Sequence, residues 1–474
     1  MSDMKRILTV AIVLMAMLTG CKENAERLPH LKPDRQAGLL PLFESLPIQR
    51  SDVAVLVGDD LIADGLWSEI FPELTIANRG IPGDCVADIV PRALEIAAAA
   101  HPHKLFISAG RNDFVRVALG APEGHGRLDY EPTVQRVALE IQKLFRNLHR
   151  ISPETELYWL SMYGIPAMDA DAYPAMRRVN GAVEAYAAKT GYFTCIDLDK
   201  ALSQGIEEGE LSFTDGLWLN GFGYARVAGF IATRLCASNG MSAEIPPFTE
   251  AQYENVRNWY GSRGPCEGSR VSGYYLDRLS QFMALPRGRG GVVLFGDSLI
   301  DFGLWEDLFP EGNVHPRGIA GDQLAGYTAR VEEVASQNPS TVVLLGGCNN
   351  LVKSPGLLPE AVWKDCEALL SAIRRSMPAV ELIVVGILPL NPKDSTEYEG
   401  FNARAAAVNA HLAAPENQKK YNYRYMDLAA RFSDENGDLS DEFTTDGCHL
   451  TPAAYRVWAD LMQEALNQMN QKSN

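Results

Sequence analysis

Short, continuous apolar runs that stop at glycine or a polar turn alternate along most of the chain with longer stretches of helical spacing. In the C-terminal half the runs are "VVLFG", "TVVLLGG" and "ELIVVGIL", apolar at consecutive positions and of strand length, which predicts strands buried on both faces. Between them "LAGYTARVEEVASQ", "LPEAVWKDCEALLSAIRRSM" and "EGFNARAAAVNAHLAA" return apolar residues at helical intervals. The N-terminal half repeats the order, with "KLFISAG", "ELYWLSMYG" and "FTCIDLD" as its strands. Strand and helix in alternation predict an α/β fold: a parallel sheet with helices on both faces.

The pattern occurs twice because the sequence does. "VAVLVGDDLIADGLWSEIFPELTIANRGIPGD" from Val53 to Asp84 runs beside "GVVLFGDSLIDFGLWEDLFPEGNVHPRGIAGD" from Gly291 to Asp322, and a repeat of that length means duplicated domains rather than a solenoid. Two short lead-ins echo one another as well, "LFESLP" and "QFMALP". Pro246, Pro247, Gly261, Gly264 and Pro265 mark a linker between the copies. The expected organisation is a first domain over 30–240, a linker and lead-in helix over 241–288, and a second domain over 289–474. A chain of 474 residues accommodates two such cores.

The N-terminus changes the setting. Lys5 and Arg6 precede an apolar run from Ile7 to Met17, and "LTGC" closes it at Cys21, the order of a secretory signal and shorter than a membrane span of about 20 residues. The four-residue ending resembles the lipobox of bacterial lipoproteins. That resemblance implies a signal peptide over 1–21, lipidation of Cys21 and, with Lys22 next, an outer-membrane address. The body is then expected to meet the membrane through its lipid alone.

Charge and cysteine narrow the partners. Lys and Arg number 43 against 60 Asp and Glu, a net −17 with no basic run, which repels a phosphate backbone and excludes nucleic acid. After Cys21 the cysteines are scattered, with no C-x-x-C pair. Neither a zinc site nor a dense disulfide framework is expected, although one disulfide stays open. His30, His101 and His103 show no metal-ligand pattern, and no metal or cofactor is expected. Oligomeric state is not legible.

In an open parallel sheet, ligands sit beyond the carboxyl ends of the strands. There the second half offers "FGDSL" with Ser298, "RGIAGD" with Gly321, "LGGCNN" with Asn349 and "DGCHL" with Asp446 and His449. A serine hydroxyl becomes a nucleophile when a base takes its proton, and His449 is the natural base. Asp446, three residues earlier, can orient the imidazole and stabilise its cation. The backbone N–H groups of Ser298 and Gly321 and the Asn349 amide can together hold an oxyanion.

"GDSL", "GIAGD", "GCNN" and "DGCH", in that order, resemble the four motif blocks of the SGNH hydrolases, the GDSL esterase and lipase superfamily. The resemblance implies two flavodoxin-like three-layer α/β/α domains of about five strands each. It also implies Ser298 as nucleophile, Gly321 and Asn349 as oxyanion donors, and Asp446 with His449 as the closing dyad. Asn350 stands where that family more often has Asp. No G-x-S-x-G elbow is present, which speaks against the α/β-hydrolase alternative. The expected activity is removal of a short acyl group, acetyl foremost, from a carbohydrate. A lysophospholipase or thioesterase is the alternative enzyme, and a glycan-binding scaffold the non-enzymatic one.

The first half keeps Gly83, Asn112 and Asp215 but has Asp60 in place of Ser298 and Trp218 in place of His449. It is therefore expected to be inactive as a serine esterase. The favoured reading makes Asp60 a helix cap suited to the helix dipole and Trp218 a filler of the lost imidazole's space. The other makes Asp60, Asn112 and Trp218 the lining of a retained sugar site. Trp67 and Trp305 are expected in the core or a pocket wall, and Arg79 and Arg317 in structural hydrogen bonds.

Overall fold

The computed structural model describes residues 33–119, 128–164, 171–207, 211–212, 219–235, 273–285, 287–310, 313–392, 398–444 and 446–473. Two five-stranded sheets form. The first contains β1 (Ala54–Gly58), β2 (Ile76–Gly80), β3 (Lys104–Ser108), β4 (Glu156–Leu160) and β5 (Thr194–Ile196). The second contains β6 (Val292–Gly296), β7 (Val314–Gly318), β8 (Thr341–Leu344), β9 (Glu381–Val385) and β10 (Arg424–Met426). Their orders, β2-β1-β3-β4-β5 and β10-β9-β8-β6-β7, are the same order read from opposite edges. Every pairing is parallel, as the flavodoxin-like expectation requires.

The apolar runs explain which strands are central. Val55, Val57, Leu105 and Ile107 point to one face, covered by the helices Val86–Ala100, Glu131–Ile151 and Ala172–Thr190. Leu56 and Phe106 point to the other, against Trp67, Val227 and Ile231. The second half repeats both layers. Trp67 and Trp305 are core residues, and their indole N–H groups donate to the carbonyls of Ile62 and Ile300 at 2.8 and 2.7 Å.

The two halves interlock through their lead-in helices. The helix Pro33–Ser45 precedes the first sheet, yet its Leu42 packs into the second half's core with Trp458 and Met462. Reciprocally, the helix Gly273–Ala284, which precedes the second sheet, lies against the first half's last helix, Gly221–Leu235. There Gly221 N–H donates to Ser280 Oγ at 2.8 Å. A Cβ on Gly221 would meet the Ser280 carbonyl oxygen at 2.3 Å, so the approach needs glycine.

Buried charge completes the junction with approximate two-fold symmetry. Arg317 pairs with Glu69 of the first half at 2.8 Å, and Arg79 pairs with Asp307 of the second at 2.9 Å. Glu69 and Asp307 hold equivalent places in "LWSE" and "LWED". Ser68 and Glu306, also equivalent, meet each other at 2.6 Å. A position that touches its own counterpart lies on the symmetry axis, as in an isologous dimer interface. Phe43 and Phe282 of the two lead-ins each sit 5.0 Å beneath one of these arginines. The structural role expected of Arg79 and Arg317 is thus an ion pair between halves.

Candidate active site

Ser298 owes its place to a sharp exit from β6. The strand ends at Gly296, where a Cβ would lie 2.3 Å from the Ile300 side chain. Asp297 then caps the short helix Ser298–Asp301, its Oδ1 accepting from Leu299 N–H at 3.1 Å. Ser298 therefore begins a helix at the carboxyl end of a central strand. Its Oγ lies 3.2 Å from His449 Nε2, and His449 Nδ1 lies 2.6 Å from Asp446 Oδ2. The other Asp446 oxygen accepts the backbone N–H groups of Cys448 and His449 at 2.8 and 2.7 Å. One carboxylate thereby folds its own loop and aligns the imidazole. Gly447 turns that loop with φ +87°, and a Cβ there would strike the Asn391 carbonyl oxygen at 2.3 Å.

The remaining expected groups arrive on neighbouring loops. Gly321 has φ +78° in the turn after β7, a left-handed conformation natural to glycine. Asn349 lies in the first turn of the helix Cys348–Lys353, and its amide makes a long 3.4 Å contact to Asp297 Oδ2. Asn350 Oδ1 accepts from Leu324 N–H at 3.0 Å, tying this helix to the Gly321 turn. Lys353 donates to the Gly321 carbonyl. Ser298, Gly321, Asn349, Asp446 and His449 thus belong to one constellation, with Phe302 5.2 Å from the imidazole.

Burial opposes charge on His449. The Asp446 contact outweighs it, with negative potential from Cys448 and Asp297 adding, and pushes the imidazole up to about 9. Burial likewise opposes charge on Asp446, but His449 and the two backbone donors hold its carboxyl well below the usual range. Burial pushes Asp297 up to about 6, against the bond from Leu299. Cys348 and Cys448 are free thiols in contact with each other beside the two loops, and Cys85, Cys195 and Cys366 are also free.

One brace was not read from the sequence although its signal recurs there. Asp322 binds Arg330 at 2.9 Å, and Arg330 donates to the carbonyls of Arg317 and Gly296 at 2.8 and 2.9 Å. Asp84 and Arg92 pair at 2.7 Å in the first half, and Arg92 reaches the carbonyls of Arg79 and Gly58. Each brace joins the ends of the first two strands beneath the site.

The first half is filled where the second is open. Asp60 Oδ2 accepts from Gly83 N–H at 3.1 Å and from the Asn112 amide at 2.7 Å. These are the counterparts of the Gly321 N–H and the Asn349 amide, the two groups expected from sequence to hold an oxyanion. Arg111, in the place of Cys348, adds a guanidinium 3.8 Å from the same oxygen and donates to Tyr163. Asp60, Arg111 and Asn112 are all buried. The helix-cap role expected of Asp60 belongs to its neighbour, since Asp59 Oδ1 accepts from Leu61 N–H at 3.2 Å. Asp60 is one residue into the helix, so its side chain projects across to the Gly83 turn. Asp215, Trp218 and Cys21 lie outside the described residues.

Among the described residues no group of His, Cys, Asp and Glu is arranged to hold a metal, and no helix is long and apolar enough to cross a membrane.

Known proteins supply the remaining context. The chain is similar to the platelet-activating factor acetylhydrolase IB subunit alpha2 of Gallus gallus, 27% identical over 202 residues that span 41% of this chain and 84% of the relative. Among solved structures, a GDSL-like lipase from Bacteroides thetaiotaomicron is 18% identical, covering 41% of this chain and 98% of its own, with a TM-score of 0.35. An acetyl-xylooligosaccharide esterase variant from Geobacillus is 18% identical, covering 40% of this chain and 94% of its own, with a TM-score of 0.31. The family model for the GDSL-like lipases and acylhydrolases matches residues 58–226 and again 294–457, so the chain belongs to that family twice over and is a hydrolase acting on esters.

Proposed function

We propose that the second half is a serine esterase that removes a short acyl group, most simply acetyl, from a carbohydrate, and that Cys21 tethers it by lipid to the outer membrane. The observation that carries the reaction is the chain from Ser298 Oγ to His449 to Asp446, with contacts of 3.2 and 2.6 Å.

In this reading His449 Nε2 takes the Oγ proton as Ser298 attacks the ester carbonyl carbon. The carbonyl π electrons move onto oxygen, and the resulting oxyanion accepts from the Ser298 and Gly321 N–H groups and the Asn349 amide. Collapse breaks the bond to the alcohol, which leaves with the proton held by His449. Water then attacks the acyl-Ser298 ester by the same route and releases the acid. Asp446 stabilises the imidazolium throughout and keeps its own charge.

The acetyl preference draws on the acetylhydrolase relative and on the motif context "GDSLIDFGLWEDLFP" and "RGIAGD". The lipid tether draws on the N-terminal pattern alone. Hydrolysis of p-nitrophenyl esters from acetate to palmitate by the mature chain without its lipid tests the reading. Expected are a preference for acetate and an inert Ser298→Ala variant. A preference for long chains would favour the lysophospholipase alternative, and turnover retained in Ser298→Ala would remove the catalytic assignment.

A further inference from the structure

The helix Gly273–Ala284 does more than join the halves. Its Tyr274 hydroxyl donates to Asp301 Oδ2 at 2.5 Å, and Arg278 reaches Asp301 Oδ1 at 3.1 Å through Nε and 3.0 Å through a terminal nitrogen. The Asp301 side chain is wholly buried. Its Oδ2 also accepts from Ala320 N–H at 2.9 Å, one residue before Gly321. The other terminal nitrogen of Arg278 donates to the carbonyl of Asp64, in the first half, at 2.7 Å. An unbroken polar chain therefore runs from the first half to the turn that carries an oxyanion donor.

The two copies of this turn are held differently. In both, the isoleucine N–H bonds to the glycine carbonyl that ends the neighbouring strand: Ile81 to Gly58 at 2.9 Å and Ile319 to Gly296 at 3.1 Å. The next residue is Pro82 in the first half and Ala320 in the second. Proline fixes its own φ and has no N–H. Where the first half has Pro82 it has Ala63 in the position of Asp301, so the acceptor and the donor are both missing. The inactive copy restrains the turn covalently. The active copy restrains it through a hydrogen bond whose acceptor is aimed by a helix packed on the other half.

We propose that Asp301 is a positioning residue for the oxyanion turn, and that the first half supports turnover in the second by fixing the Gly273–Ala284 helix that orients Asp301. The inference rests on the esterase reading. Asp301 touches neither substrate nor Ser298's hydroxyl, and it acts through the peptide before Gly321.

The test compares steady-state esterase kinetics and thermal unfolding of the full mature chain with those of Asp301→Ala and of Asp301→Ala combined with Ala320→Pro. The double variant recreates the first half's Ala and Pro. Expected for Asp301→Ala is a fall in kcat of about 10- to 100-fold, the scale of a small misplacement of a catalytic group. KM should stay within about twofold, because the oxyanion contact forms chiefly in the transition state. The double variant should recover most of the lost kcat, a rescue that a purely structural role for Asp301 does not produce. Should Asp301→Ala fail to fold, Tyr274→Phe and Arg278→Lys weaken the same chain and should lower kcat without raising KM. Wild-type kcat in folded Asp301→Ala, or a double variant no faster than the single, overturns the proposal while leaving the esterase reading intact. An inactive wild type overturns both.

Discussion

The Asp60 carboxylate accepts a 2.7 Å hydrogen bond from the Asn112 amide, the contact that an ester-derived oxyanion would make with Asn349 in the other half. With Gly83 N–H on the same oxygen, the first half binds its own carboxylate where the second would bind a reacting substrate. A site already filled by a buried anion is poorly suited to the sugar lining considered from sequence, and well suited to stability.

Restoring the serine should therefore not restore the enzyme. In Asp60→Ser the buried donors of Gly83 and Asn112 lose their acceptor, at a cost of about 1–3 kcal/mol. The variant should melt several degrees lower and hydrolyse p-nitrophenyl acetate at the wild-type rate. A measurable gain of turnover in an Asp60→Ser, Ser298→Ala double variant would show that the first half retains a working base.

The pH profile follows from His449. With the imidazole pushed up to about 9, the resting base is protonated at neutral pH, and only the neutral form accepts the Ser298 proton. kcat/KM should rise about tenfold per unit through neutrality and level off above roughly pH 9. Asp446→Asn removes the main cause of the shift, so its residual activity should level off nearer the ordinary histidine value of about 6.5, at a much lower plateau. A wild-type profile flat between pH 6 and 10, after correction for spontaneous hydrolysis, would contradict this account.

The junction makes a prediction about acid. Burial disfavours charge on Glu69, but Arg317 and His315 outweigh it and hold the carboxyl down to about 2. A carboxyl depressed by folding stabilises above its ordinary pKa of about 4.3, and that stabilisation is lost as pH falls toward 2. Glu69→Ala leaves Arg317, among the described residues, with Glu333 at 3.1 Å as its one carboxylate partner and the Pro316 carbonyl at 2.8 Å, and breaking a buried pair from one side costs about 3–5 kcal/mol. Denaturant unfolding should show the halves separating at lower denaturant in the variant. The difference from wild type should shrink between pH 4 and pH 2. Equal midpoints at pH 7 would mean that the pair contributes nothing net.

How much of this was legible depended on the kind of interaction. Central strands such as "VVLFG" announce themselves because both faces are buried. The edge strand Val314–Gly318 reads "VHPRG", with no apolar run and a proline, which an edge tolerates because one side of its backbone needs no partner. Ser298, Asn349, Asp446 and His449 could be read because each sits beside a turn-forming glycine or a strand end. Asp301 could not, since its partners Tyr274 and Arg278 lie on the lead-in helix, more than 20 residues earlier, and nothing local marks them. Glu69 and Arg317 were equally hidden: the pairing is a property of two domains, and the recurring arginine suggested only a structural role shared by both copies.

One substitution made at equivalent places should separate the two sites. Asn349 sits partly exposed in an open constellation, its amide held, among the described residues, only by the 3.4 Å contact to Asp297. Asn112 is buried, its amide donating to Asp60 at 2.7 Å and to the Asp84 carbonyl at 3.1 Å. Asn349→Ala should therefore lower kcat by about 10²–10³-fold, the usual cost of one oxyanion donor, with little change in KM or melting temperature. Asn112→Ala leaves a buried carboxylate short of a donor, so it should cost about 1–3 kcal/mol of stability and leave kcat at the wild-type value. Steady-state kinetics and thermal unfolding of the two variants side by side check the division. If Asn112→Ala slowed turnover as much as Asn349→Ala while both stayed folded, chemistry could not be assigned to the second half alone.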